Sequence, residues 1–284
     1  MNTLKTALLL TALTVLLVVG GGLIAGERGM KFALLIAVAM NGISYFFSDK
    51  LALAMSGARP VSREQAPRLY AITEGLCQKS GLPLPKLYVI PQAAPNAFAT
   101  GRSPRHAAVA VTAGLLETMK EDEVEGVIAH ELGHVRNYDI LTASVAATVA
   151  GAITMIASMG RWALIFGGMG RGDDRNNGGG FAALLMLVVA PIAALMIQMM
   201  ISRQREYAAD AAAARMVGHP FGLISALEKL GAYNKRIPMD VAPATASLFI
   251  VAPLGGGGSF MSWFSTHPPL EKRVAALRNM VVTR

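Results

Sequence analysis

Cysteine is nearly absent: Cys77 stands alone among 284 residues. A single thiol excludes an internal disulfide and any zinc site built from cysteines. Charge is scarce too, at 15% of residues against 53% hydrophobic. That is too apolar for an ordinary soluble protein and turns the reading toward a membrane. The charge that remains is lopsided, with 26 Lys and Arg against 18 Asp and Glu, a formal +8. No basic run is interleaved with aromatics, which argues against nucleic acid. The basic residues flank apolar stretches instead, as suits an anionic membrane face.

What fills the chain is long uncharged runs. Lys5 and Glu27 bracket 21 uncharged residues, a span of about 6–26, long enough for a bilayer. A secretory signal peptide is the rival for this segment. Its apolar core is long for that role, and Gly20-Gly21-Gly22 makes a poor cleavage site. After a polar turn, Gly26 to Lys31, a second uncharged run of 17 residues covers 32–48 and ends on Tyr45-Phe46-Phe47, an interfacial aromatic belt. Residues 1–48 therefore read as a transmembrane hairpin. A second pair of spans, 140–160 and 181–201, falls within 140–201 around a polar, Gly-rich loop at 167–180, with Pro191 as a kink. The four spans contain no ionisable side chain, which disfavours the rival reading of a channel or carrier with a regulatory metal site. Two Lys and Arg lie in the 26–31 turn and three in the 161–175 loop, leaving 21 of 26 elsewhere. That imbalance puts both termini and the intervening domain in the cytoplasm.

Segments 49–139 and 202–284 read as one soluble domain, α+β but mainly helical. Arg63 to Lys79 has helical spacing, with Leu69, Tyr70, Ile72 and Leu76 on one side. Lys86 to Ile90 and His106 to Thr112 are short buried strands, followed by a short helix or turn over 113–119. Acidic residues at 121–125 open another helix where its dipole favours them. Further helices cover 221–233 and 269–280, the last with Leu270, Val274 and Leu277 on its apolar face, and 254–259 is a flexible Gly-rich loop.

The helix opened by those acidic residues carries Val127-Ile-Ala-His-Glu-Leu-Gly-His-Val135. His130 and His134, four apart, share one helical face and reach one ion; Glu131 reaches a water held on it. Zinc favours nitrogen ligands in tetrahedral geometry, and the carboxylate takes the water's proton as it attacks a carbonyl. The apolar neighbours of these residues bury the helix, and buried His and Glu need a partner.

Two histidines do not complete a catalytic site. No third histidine follows at the nearby spacing, since 137 and 140 are Asn and Ile. The candidate is Ser202-Arg-Gln-Arg-Glu-Tyr-Ala-Ala-Asp210: Glu206 ligates, while Asp210, one turn on, accepts the remaining N–H of a ligand histidine. Asp139 reads as a cap or membrane anchor, and His106 and His219 as structural.

These stretches, with Pro95-Asn-Ala-Phe-Ala99 and Thr266-His-Pro268, resemble the M48 family of membrane zinc endopeptidases along essentially the whole chain. The resemblance implies a gluzincin-type domain on four membrane helices in the bacterial inner membrane, facing the cytoplasm. It implies one Zn2+ per chain held by His130, His134 and Glu206, with Glu131 as base. The implied substrates are damaged or misassembled membrane proteins, a quality-control and stress-response role. Asn96, Ala97, Phe98 and Ala99, between two strands, are implied to line the substrate cleft, where an extended peptide adds to a sheet edge. His267, stiffened by two prolines, is a candidate donor to the oxyanion. A peptidase of prenylated peptides is a further rival, although its enclosed chamber needs more spans than four.

Overall fold

The structure, a computed structural model, describes residues 2–147, 203–234, 236–237, 239, 241, 245–251 and 267–280. Most of the expected second span pair, its Gly-rich loop and the 254–259 loop lie outside the described residues.

Helical structure covers α1 (Asn2–Met55), but α1 is not a single rod. Gly26 has φ 57, a left-handed conformation that glycine adopts without a Cβ penalty. Past it the chain doubles back. Asn41 donates to the Leu10 carbonyl at 3.3 Å and to Thr14 Oγ1 at 2.8 Å. A straight helix would hold Leu10 and Asn41 about 46 Å apart at 1.5 Å per residue. The arms close tightly near the turn, where a Cβ on Gly21 would run into Gly29 and Ala33. The second arm, Gly26–Met55, is long and apolar enough to cross a membrane, and Phe32, Leu35, Val38 and Phe46 face outward. It does not stop at Asp49, where the composition changes. It continues to Met55, and Ala52 and Leu53 pack with Phe98 and Phe249, so the hairpin runs into the domain without a linker.

The domain's sheet comprises β1 (Arg59–Pro60), β2 (Lys86–Ile90), β3 (Ala97–Gly101) and β4 (Ala107–Thr112), in the order β1-β2-β4-β3. β2 and β4 are parallel, while β1 and β3 flank them antiparallel. Residues 97–101, expected as a link between strands, form the edge strand. Its Ala-Phe-Ala-Thr-Gly sequence has weak strand propensity, and pairing with β4 makes it a strand.

Around the sheet pack α2 (Pro67–Ser80), α3 (Ala113–Thr118), α4 (Glu121–Arg136), α5 (139–147), α6 (Arg203–Val217), α7 (Phe221–Asn234) and α8 (Leu270–Arg278). α2 begins later than its periodicity, because Pro67 takes the first turn, and ends on Gly81 at φ 69. At the start of α4, Glu123 accepts the Lys120 backbone N–H at 2.8 Å, satisfying one otherwise orphaned donor. α4 is the central helix. Val127, Ile128, Leu132 and Val135 are wholly enclosed, sharing one core with Val109 and Val111 of β4 and Leu227 of α7. Gly133 faces Ala209 of α6: a Cβ there would lie 3.1 Å from the Ala209 carbonyl oxygen and 3.2 Å from its Cα. This close approach brings α6 against the histidine face of α4.

Candidate active site

Three donors converge where α4 meets α6. His130 and His134 turn their Nε2 atoms to each other at 3.2 Å. The Glu206 carboxylate straddles the pair, one oxygen 3.5 Å from His134 Nε2 and the other 3.7 Å from His130 Nε2. A tetrahedral ion with bonds of about 2.0–2.1 Å holds its ligands about 3.3–3.4 Å apart, so the spacing fits a metal. Both outer ring nitrogens are taken by carboxylates: His130 Nδ1 lies 2.8 Å from Asp210, and His134 Nδ1 lies 3.2 Å from Asp139. Those contacts leave two imidazole lone pairs and a carboxylate facing one another, an arrangement that requires a cation. His130, His134 and Glu206 form a potential metal-binding group.

The electrostatics fit this reading. Burial, helped by the charge of Arg273, pushes His130 down to about 4, although Asp210 works the other way. Burial would also lower His134, but the Asp139 hydrogen bond and the charges of Glu206 and Glu131 outweigh it and raise the ring to about 9. A proton on His134 therefore does in part what a metal would do. Burial would raise Glu206, yet His267, His134 and Arg273 hold it well below the usual carboxylate range.

Glu131 follows His130 on α4 and is 2% exposed. Burial, reinforced by Glu206 and opposed by His134, raises its carboxyl to about 7. Among the described residues its Oε1 has no hydrogen-bond partner, while the carboxylate takes the Ala99 backbone N–H. His267 enters from the segment before α8, with Nδ1 3.1 Å from Glu206 Oε2. It shares a small cleft with Ala99, Glu131, His134 and Glu206.

Of the four residues expected in the substrate cleft, only Ala99 lines this opening. Asn96 and Ala97 make bonds along the strand edge to residues 250 and 251. Phe98 points to the opposite face, fully buried and edge-to-face with Phe249 at 5.0 Å between centroids. His106 pairs with Ser103 and His219 stacks on Phe221.

Two residues at the centre were not expected there. Asp139, read as a cap or anchor, holds His134 and also faces Arg205 at 3.5 Å. Arg273, wholly buried, grips Asp210 with Nε at 2.8 Å and Nη2 at 2.6 Å. Its Nη1 lies 3.4 Å from Glu206 and donates to the Ile250 carbonyl at 2.9 Å. The charged Asp210–Arg273 contacts outweigh burial and hold the Asp210 carboxyl at about 2. The signal for Arg273 was a cation on the buried stripe of its helix, beside Val274; a charge so placed needs a partner.

A buried His-Glu-x-x-His helix, a carboxylate from a second helix and a small edge-stranded sheet together define a metal-dependent peptidase. The chain belongs to Peptidase family M48, whose model matches residues 63–281. It is 55% identical over 276 residues to a "Protease HtpX homolog" of Desulfatibacillum aliphaticivorans, covering 97% of this chain and 89% of that protein. A "Protease HtpX homolog" of Syntrophotalea carbinolica is 51% identical over 283 residues, covering 99% of this chain and 100% of that one. The fold is similar to the crystal structure of S. mikatae Ste24p, with TM-score 0.51 and 22% identity, over 86% of this chain and 57% of that one.

Proposed function

We propose that this membrane metalloprotease is a zinc endopeptidase that cleaves extended segments of membrane proteins at the cytoplasmic surface. The observation that carries the reading is the His130, His134 and Glu206 cluster, with tetrahedral spacing, beside a buried carboxylate at Glu131. Zinc held there supplies Lewis acidity, which lets water be deprotonated near neutral pH. Glu131, raised to about 7, is poised both to take a proton from the attacking water and to return one to the leaving amine. Asp210 and Asp139 fix the two imidazoles with Nε2 inward, and Arg273 secures Asp210. His267 lines the cleft and supplies a second donor toward the oxyanion.

The substrate strand pairs with the outer edge of β3, the side not covered by β4. Backbone groups alternate between the two edges of a strand. The Thr112 N–H donates to the Asn96 carbonyl, so Ala97, Ala99 and Gly101 direct their groups outward. A membrane substrate is supported by the cleft wall: Ile140 and Ala143 line it from α5, the start of the third apolar run.

Zinc analysis of the detergent-purified chain and of Glu131→Gln, paired with cleavage of a membrane-protein substrate, tests the chemistry. The expected result is one zinc in each, with cleavage only by the parent; a metal-loaded but fully active Gln variant overturns it. Single cysteines at Asn177 and Glu271 in a Cys77→Ser background test the orientation. External labelling at 177 alone is expected, and equal labelling at both refutes four spans.

A further inference from the structure

The Ala97 end of the β3 edge that a substrate needs is already taken. Ile250 donates its backbone N–H to the Ala97 carbonyl at 2.9 Å. Asn96 reads the next peptide in both directions, donating Nδ2 to the Val251 carbonyl at 2.9 Å and accepting the Val251 N–H at 3.4 Å. Arg273 donates to the Ile250 carbonyl at 2.9 Å, from the same Nη1 that faces Glu206 at 3.4 Å. A short peptide is thus held by its main chain, through an outward carbonyl of the edge strand, an asparagine amide and an arginine. One of its carbonyls is a single guanidinium away from the third donor of the metal cluster. Its side chains are enclosed as well, with Phe249 0% and Ile250 2% exposed. Main-chain bonds along a sheet edge, independent of sequence, are how an extended peptide is bound by strand addition. The cleft left beside them is about 30 Å3, room for about one or two waters and not for a peptide.

We propose that Ile250 and Val251 are an internal stand-in for substrate. They hold the protease closed at rest, and an extended polypeptide must displace them from Ala97, Asn96 and Arg273 before its own carbonyl reaches Glu131. The inference rests on the reading that substrate pairs with the outer edge of β3. It adds that the Ala97 end of that edge is occupied until substrate competes for it. Activity then depends on how well a substrate segment forms a strand, and short or folded segments are poor competitors.

Amide hydrogen exchange on the full chain in lipid nanodiscs, with and without a saturating apolar peptide hydroxamate, separates the two ideas. The expected result is exchange about tenfold faster at Ile250 and Val251 when the peptide binds, with residues 97–101 staying protected. If the hydroxamate binds and protects 97–101 while Ile250 and Val251 do not change, the segment is a permanent wall and the inference fails. If the hydroxamate inhibits without changing exchange anywhere in 97–101 or 248–251, the edge-pairing reading itself fails. Ile250→Pro, which removes the N–H given to Ala97 and also replaces a buried side chain, provides the kinetic arm. It should lower KM for a peptide substrate about threefold to tenfold, the weight of one neutral hydrogen bond, and leave kcat nearly unchanged. A folded Ile250→Pro protein with a higher KM overturns the proposal.

Discussion

The two histidines of the candidate metal cluster use the same construction in opposite surroundings. Each gives its outer nitrogen to an aspartate, and each aspartate faces an arginine. On the His130 side the relay is enclosed by helices: His130 and Arg273 are 0% exposed, and the arginine grips Asp210 with two bonds at 2.6 and 2.8 Å. On the His134 side the ring keeps 17% of its side chain exposed, and Arg205 stands 3.5 Å from Asp139. The His130 side is rigid and belongs to the core. The His134 side opens on the cleft and on α5, where the chain turns toward its next apolar run. One is enclosed and doubly bonded, and the other is partly open and more loosely paired.

The largest effect tests what the two sides share. Glu131→Gln removes the proposed base and leaves every donor of the cluster in place, so kcat should fall about 10²–10⁴-fold with metal content unchanged. A Gln variant that loses its metal would make Glu131 a ligand.

The arginines separate the sides. Arg273→Ala leaves Asp210 buried without its cation and should cost about 3–5 kcal/mol of stability. Arg205→Ala should cost about 1 kcal/mol, since Asp139 keeps its bond to His134. Chemical denaturation of the metal-free proteins measures both, and equal losses would erase the contrast.

The aspartates should rank in the same order for metal. Asp210→Asn is expected to weaken metal binding about 100-fold and Asp139→Asn about 10-fold, the two ends of the usual range for groups that orient a ligand. Competition with a chelator gives the values, and the reverse order would put the firmer support at His134.

The smallest effect per step is in pH. His130 is neutral above about 4, whereas metal-free His134 keeps its proton up to about 9. A metal needs both lone pairs, so between those values binding expels one proton, from His134. Affinity should therefore rise about tenfold per pH unit from 7 until it levels near 9. Calorimetry in buffers of different ionisation enthalpy counts that proton, and a flat affinity from pH 7 to 9 would show the two rings alike.

How much of this was legible in the sequence follows the same divide. α4 and its three polar residues could be read because one helical face carries them, and Glu206 and Asp210 because an orphan pair demanded a carboxylate. Lys86–Ile90 was legible as a strand from its own Leu, Tyr, Val and Ile. β3 was not, because its residues have no strong preference and acquire one only beside β4. Asp139 sits five residues beyond His134, past Tyr138 at φ 59, and helical spacing says nothing across such a break. Arg273 lies 63 residues from Asp210, a distance that only the fold closes. The hairpin's reversal was visible at Gly26 to Lys31, but its continuation through Asp49 and Lys50 into the core was not, since two charges look the same on a helix as at its end.

Gly133 sets a manufacturing tolerance. A methyl group there would require Ala209 to give way by a few tenths of an ångström, and coordination bonds hold to about 0.2 Å. Glu206 sits one turn before Ala209 on α6, so the third donor is located by an atom that is missing from the helix of the other two. A substitution that adds no charge, removes no donor and touches no substrate would still detune the metal site, and the fault would appear as a loosely held ion in an otherwise well-folded protein.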